Sequence, residues 1–316
     1  MKFDREMGAA LALPALLVAF VVLFSLLKPD LFFTTDNFRT ILVTQAVLAI
    51  LALATMLPLV LGEFDLSVAA NLGLGAILAA GLQAQSGASF GTAILVALLA
   101  CSLIGLINGI LIVRFKINAF IATLAMSTIL ASVVLWYSDG NTFSTGISST
   151  FKSLANDSLL GIPLPVVYVV IVAVVLWYLL EMTPLGRHMY AIGGSRDAAR
   201  LSGIRVDAIT IGVFVVTGLI AGLAGVLQSA TLGSGNPTIG PSFLLPAFAA
   251  AFLGATAIKV GKFNVVGTVL AVITLQTGIT GLQLIGAPYY IEGMFNGLAL
   301  LIAVGATVFL RRKSPA

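Results

Sequence analysis

Two groups of residues in this 316-residue chain could carry chemistry. The first is a short polar cluster, Glu63, Asp65, Ser67 and Asn71, set between apolar runs. A charge at membrane depth costs roughly 2.5–3.5 kcal/mol on insertion scales, so such residues face protein or water. The spacing of Asp65, Ser67 and Asn71 puts them on neighbouring faces of one helix, where they would line or support a permeation path. A structural role fits the same residues: Asp65 caps a helix that follows a break, its carboxylate binding free backbone N–H groups. Of the two roles the cap is favoured, and Glu63 is read as hydrated at the inner membrane surface.

The second group lies in the hydrophilic stretch 182–208, which holds Arg187, His188, Arg196, Arg200 and Arg205 and is too polar to stay in lipid. Its centre, Gly194-Ser195-Arg196-Asp197-Ala198-Ala199-Arg200-Leu201-Ser202-Gly203, reads as a short helix. Ser195 suits the N-cap, Asp197 the positive N-terminal end, and Gly203 a left-handed exit. A small capped helix on the basic side of a membrane bundle is suited to being pushed by something outside the membrane.

Enzyme chemistry finds no constellation in the sequence. Gly261-Lys262-Phe263 lacks the upstream glycine spacing and the hydroxyl of a phosphate-binding loop, so nucleotide hydrolysis by that route is excluded. His188, the only histidine, has no serine nucleophile or metal partner near it and reads as a solvated interfacial residue. Cys101, the only cysteine, reads as a small core residue, with neither a disulfide framework nor zinc spacing. No metal or cofactor is expected.

The elements that position these groups must be membrane helices. Apolar residues make up 59% and charged residues 9% of the chain, against about 45–50% and about 25% in soluble domains. The net charge of +4 is too small and too scattered to suggest nucleic acid. A spanning helix needs about 20 apolar residues, and ten stretches qualify: 9–27, 40–61, 66–84, 92–113, 118–137, 164–181, 209–230, 243–257, 264–283 and 290–310. The first is too long for a signal-peptide core and is expected to be an uncleaved span.

The predicted fold is thus an all-α polytopic membrane bundle of about ten helices, within eight to eleven, forming one transmembrane domain over residues 1–316. A broken helix is expected near 57–66, where Pro58, Glu63 and Asp65 interrupt apolar sequence. Pro246 is expected to kink the eighth span or make it re-entrant. With the N-terminus inside, the cytoplasmic segments collect Lys2, Arg5, Arg114, Lys116, Arg187, Arg196, Arg200, Arg205, Lys259, Lys262, Arg311, Arg312 and Lys313. That is thirteen of the sixteen Lys and Arg residues, which places both termini in the cytoplasm. The outer segment 138–163, rich in Ser, Thr, Asn and Gly, is expected to be a small lid or loop. Gly105-x-x-x-Gly109 and Gly218-x-x-x-Gly222 permit close helix contact.

Several motifs occur in a fixed order: Gly62-Glu63-Phe64-Asp65-Leu66-Ser67-Val68, Asn118-Ala119-Phe120-Ile121-Ala122-Thr123-Leu124, Thr183-Pro184-Leu185-Gly186-Arg187, Ala199-Arg200-Leu201-Ser202-Gly203-Ile204 and Leu253-Gly254-Ala255-Thr256. In these the chain, from about 37 to 312, resembles the permease subunit of bacterial ATP-binding-cassette importers of the ribose-type sugar family, distantly related to branched-chain amino-acid permeases. It departs from the family's pattern at Glu63-Phe64, Ala69-Ala70, Ala119, Ser195 and Pro246. The resemblance implies a multi-pass protein of the bacterial cytoplasmic membrane, with a second permease subunit beside it and a separate ATPase subunit beneath. An extracytoplasmic binding protein would deliver a small neutral sugar or polyol. It implies that residues 194–203 form a coupling helix seated in a groove of the ATPase, with Arg196 and Arg200 pairing with acidic groups of that partner and Ala198 and Ala199 allowing close approach. It also sets Asp65, Ser67, Asn71, Phe120 and Thr123 on the translocation path or its support. The competing class is an ion-coupled secondary transporter with Glu63 or Asp65 carrying the ion.

Overall fold

The computed structural model describes the backbone of residues 2–312 and the side chains of residues 10–305. The side chains of Lys2, Arg5, Arg311 and Arg312, assigned above to the cytoplasm, and the whole of Lys313 lie outside the described residues. From the N-terminus run α1 (Lys2–Leu27), α2 (Pro29–Phe32), α3 (Thr35–Thr44) and α4 (Ala46–Val60). After a non-helical break come α5 (Val68–Ser86), α6 (Phe90–Val113), α7 (Ala119–Ser138), α8 (Ser149–Asn156) and α9 (Leu164–Met182). The order closes with α10 (Pro184–Gly194), α11 (Arg196–Leu201), α12 (Val206–Leu232), α13 (Leu244–Gly254), α14 (Val265–Leu284) and α15 (Ile291–Arg312).

The result is an all-α polytopic architecture. Among the described residues, seven helices are long and apolar enough to cross a membrane: α1, α5, α6, α7, α9, α12 and α14. Helices α3 and α4 make an eighth if the pair, bent by 42°, is one span. Each of the ten expected stretches coincides with a helix or with this bent pair; α13 is a shorter apolar helix, and so is the part of α15 that lies within the described residues, Ile291–Gly305. The bend in the second stretch falls at Gln45, between the two helices, where the Thr44 hydroxyl donates to the Thr40 carbonyl at 2.8 Å. Pro246 produces no kink, because it falls in the first turn of α13, where a missing N–H costs nothing.

The chain divides into two compact units, residues 1–56 with 245–316 and residues 57–244. In the first, α1 packs on α14: the ring of Phe24 covers Gly281, and Phe20 lies over Gly278. Asn264 opens α14 by accepting from Gly267 N at 2.7 Å. In the second, α5, α6 and α12 form the core. A Cβ on Gly105 would collide with the Phe214 carbonyl oxygen, and one on Gly218 with the Cys101 carbonyl oxygen. The two Gly-x-x-x-Gly pairs thus bring α6 and α12 into backbone contact, where dispersion and close packing replace the hydrophobic drive that lipid cannot supply.

Segment 138–163 is more ordered than its polar composition suggests. Ser148 caps α8 by accepting from Phe151 N at 3.1 Å, Phe151 is fully buried, and Ser158–Leu159 pairs antiparallel with Ile162–Pro163. Buried Phe151 and Ala155, the Ser148 cap and packing on α12 hold this hydroxyl-rich stretch as a helix.

Candidate functional site

The break at 61–67 is built by a left-handed glycine. Gly62 has φ +78°, its N–H donates to Leu59 O at 3.1 Å, and Glu63 N donates to Pro58 O at 3.0 Å. These two bonds are the glycine-terminated helix end that satisfies the last carbonyls of α4. The chain then turns, and the Asp65 carboxylate accepts from Ser67 N at 2.9 Å and from Ser67 Oγ at 2.6 Å. Asn108 of α6 donates to Ser67 Oγ at 2.8 Å. Leu66 N donates to Thr123 Oγ1 of α7 at 3.0 Å, while Thr123 donates to Ala119 O at 2.7 Å. Asn71, one turn into α5, donates to Cys101 O of α6 at 3.1 Å and to Gly218 O of α12 at 3.4 Å.

Asp65, Ser67, Asn71, Asn108 and Thr123 are all buried. Burial pushes the Asp65 carboxyl up to about 6, against the lowering effect of its bonds from Ser67. Asn71 Oδ1 and Asn108 Oδ1 accept no hydrogen bond among the described residues, which leaves the network under-satisfied at two points. Phe120 stands apart from it: the ring is 49% exposed and meets Phe64 edge-on at 6.5 Å.

The stretch 182–208 folds as two helices rather than one. Pro184 starts α10 in the first turn, where its ring is pre-set for a helix. Ser195 then ends α10 and caps α11, accepting from Ala198 N at 3.3 Å, and Gly203 exits with φ +80°. The end of α10 rests on the break, because Gly193 lies so near the Val60 carbonyl oxygen that a Cβ would not fit.

Arg196, the first residue of α11, forms an ion pair with Glu63 in the break. Its other terminal nitrogen donates to Thr210 Oγ1 on α12 at 2.9 Å, and Thr210 is fully buried. One guanidinium therefore ties α11, the break and α12 together. Burial pushes Glu63 above the usual carboxylate range, and the Arg196 charge pulls it back. Arg200 pairs with Asp207 at 2.8 Å, both side chains about 60% exposed (60% and 61%).

Within this chain Arg196 and Arg200 are each paired with an acid, Glu63 and Asp207, which lie within reach, and a paired charge needs less hydration. Ala199 is buried within the chain, where its smallness serves internal packing, whereas Ala198, Asp197 and Leu201 are exposed along with Gly194, Ser202 and Gly203. Glu63 and Thr210 were not recognised as members of one site, because 133 residues separate Glu63 from Arg196. The available signal was charge: Glu63 breaks the resembled motif, and an unmatched carboxylate beside lipid needs a cation.

Comparison with known proteins now places the chain. Residues 37–304 match the family described as branched-chain amino acid transport system / permease component. The chain is 36% identical over 300 residues to the ribose import permease protein of Haemophilus influenzae, covering 94% of this chain and 92% of that one. It is 37% identical over 292 residues to the ribose import permease protein of Escherichia coli, covering 91% and 90%. It is also 33% identical over 289 residues to the D-allose transport system permease protein of the same species, covering 92% and 88%. No solved structure matches the chain. A multi-pass helical chain whose apolar spans enclose buried amides and hydroxyls, and which aligns almost end to end with import permeases, belongs to the branched-chain amino acid transport system permease family.

Proposed function

We propose that this chain is the membrane-spanning subunit of an ATP-binding-cassette importer for a monosaccharide or related polyol. Its partners are a separate ATPase subunit, a second permease subunit and an extracytoplasmic binding protein. The relatives named for ribose and D-allose import support the solute class, and neutral hydrogen-bonding groups at the break suit a neutral, hydroxyl-rich solute that must be released again. The chain acts as one permease domain over residues 1–316 in the bacterial cytoplasmic membrane, with ten spans, both termini and the 182–208 loop in the cytoplasm, and no part in ATP hydrolysis.

The observation that carries this reading is the three-way tie at Arg196. Helix α11, with Asp197, Ala198 and Leu201 outward, is the piece a cytoplasmic motor would grip. Closure of the ATPase pair moves α11, and the Arg196–Glu63 pair and the Gly193–Val60 contact carry that movement into the break. There Asp65, Ser67, Asn71 and Thr123 hold α5, α6, α7 and α12, and Phe120 stands beside them on the path. The bistable element is this joint, which the motor biases from outside the bilayer.

Co-reconstitution in proteoliposomes tests the reading. Solute uptake is expected to require the binding protein, the ATPase subunit and ATP on the ATPase side. Arg196→Glu is expected to lower uptake at least tenfold while ATP hydrolysis continues, and the exchanged pair Arg196→Glu with Glu63→Arg to recover most of it. Uptake by the chain alone on a proton or sodium gradient would overturn the importer reading in favour of an ion-coupled carrier. Full coupling in Arg196→Glu would leave the importer standing and remove the strut.

A further inference from the structure

A cavity of about 640 Å³ lies beside the loop that joins α9 to α12. Leu176 and Leu179 on α9 and Val213 and Val216 on α12 form its apolar walls, and the exposed His188 and Arg205 stand on its polar side. The two walls are the loop-side ends of helices that cross the membrane. From Val206, where α12 begins, to Val216 is ten residues, or about 15 Å at the helical rise. That is about half of a roughly 30 Å hydrocarbon core, the depth of one leaflet. The cavity thus runs from the membrane surface to the depth that a single acyl chain reaches.

The charges at its mouth point the same way. Within the loop, Arg196 is neutralised by Glu63 and Arg200 by Asp207. His188 and Arg205, from α10 and from the residue before α12, have no acidic partner among the described residues. Asp207, the nearest acid in sequence, is committed to Arg200. Arg205 itself makes no side-chain cap on α12, so the positive end of a 27-residue helix adds to the Arg205 charge, with the His188 imidazole beside it as a hydrogen-bonding group. Unmatched basic groups above an apolar slot one leaflet deep are complementary to an anionic amphiphile and to nothing purely apolar.

We infer that this cavity is a binding site for an anionic phospholipid of the leaflet on the loop side, with the phosphate on Arg205 and His188 and one acyl chain between α9 and α12. The site needs only that α9 and α12 span the bilayer, and it stands whether or not an ATPase drives transport.

The full chain in lipid nanodiscs provides the test, through Trp177 next to Leu176 on α9. Trp136→Phe leaves Trp177 as the only tryptophan, and its fluorescence is quenched by phosphatidylglycerol or phosphatidylcholine carrying brominated acyl chains. Phosphatidylglycerol is expected to quench with at least about fivefold preference, since one basic residue near the surface is worth about 1 kcal/mol towards anionic lipid. His188→Gln with Arg205→Gln should abolish the preference, while Arg187→Gln, outside the cavity, should leave it. Gly212 lines the cavity and a Cβ there meets nothing within 4 Å, so a side chain can enter the slot from this position, and Gly212→Leu should block quenching by the same probe. Equal quenching by the two lipids, or a preference that survives both variants, would overturn the site. Inorganic phosphate at millimolar concentration that displaces brominated phosphatidylglycerol completely would overturn it too, showing an anion site with no need of the acyl slot.

Discussion

The α5–α6–α12 core and the joint at the break are neighbours in one unit and are built on opposite terms. In the core, backbone lies on backbone: Gly105 against Phe214 and Gly218 against Cys101 leave no room for a Cβ. Such packing has one arrangement and resists gradual deformation. At the joint, apart from the one backbone contact of Gly193 on Val60, helices meet through single side chains: Arg196 on Glu63 and Thr210, Thr123 on Leu66, Asn108 on Ser67. Each of these bonds can be exchanged for another without opening a cavity. The contrast is between a block locked by backbone contact and a joint held by side-chain bonds, and damage to each should look different.

The largest effect is expected in the block. Gly105→Leu forces side-chain atoms into the Phe214 carbonyl, and helix backbone cannot yield as a side-chain end would. A destabilisation of more than about 3 kcal/mol follows, seen as loss of monodisperse protein after detergent extraction. A folded, transport-competent Gly105→Leu protein would show that α6 and α12 are not locked, and the contrast would fail.

Asp65 sharpens the comparison from the side of the joint, through pH. Its carboxyl titrates at about 6 in the folded protein against 3.8 in a free chain. Between those values the folded state keeps a proton that the unfolded state has released. Stability therefore falls as pH rises from about 4 to about 6 and stays lower above that. Asp65→Asn keeps an oxygen to accept from Ser67 and loses the charge. The variant should gain on the wild type by up to about 3 kcal/mol across that window, measured as the difference in thermal midpoint in detergent at pH 4 and pH 7. A difference independent of pH would mean that the buried carboxylate carries its charge at no cost.

How much of this was legible in the chain follows from the range of each signal. The ends of α11 were readable from Ser195 and Gly203, and the close helices from two Gly-x-x-x-Gly spacings, because caps and small-residue faces act within a turn or two. The break near Pro58 was visible for the same reason, although the left-handed turn at Gly62 was not read from the sequence. The bend at Gln45 was not, since apolar sequence runs on through it with neither proline nor glycine. Helix α8 hid within a polar stretch because only Phe151 and Ala155 of its eight residues are buried, too few to mark an apolar face. Above all, the tie between Glu63 and Arg196 had no local signature: its partners lie in segments that only the folded packing brings together.

Arg196→Ala is the next step down in stability. It removes the partner of Glu63, whose side chain is 16% exposed, and leaves Thr210 without that donor. Breaking a fully buried pair costs about 3–5 kcal/mol, but Arg196 itself is 37% exposed, and solvent screening lowers the expected loss to about 1–2 kcal/mol. Thermal midpoints of Arg196→Ala and Arg196→Ala with Glu63→Gln settle the cause. If the second change restores most of the loss, the cost lay in a stranded carboxylate; if it restores none, the bond to Thr210 was the larger part.

The smallest effect belongs to the other ion pair of the same loop. Arg200 and Asp207 approach at 2.8 Å, a better-defined contact by distance than many buried ones, yet both side chains are mostly in water. At such exposure the Coulomb gain is offset by hydration and by the side-chain freedom lost, and measured pairs give about 0–1 kcal/mol. Arg200→Gln should shift the thermal midpoint by the equivalent of less than about 0.5 kcal/mol, with a further decline in any effect at high salt. A loss as large as that of Arg196→Ala would mean that burial is not what separates the two pairs. The distinction between a joint held by a half-buried strut and a loop decorated by a surface pair would then have to be drawn on other grounds.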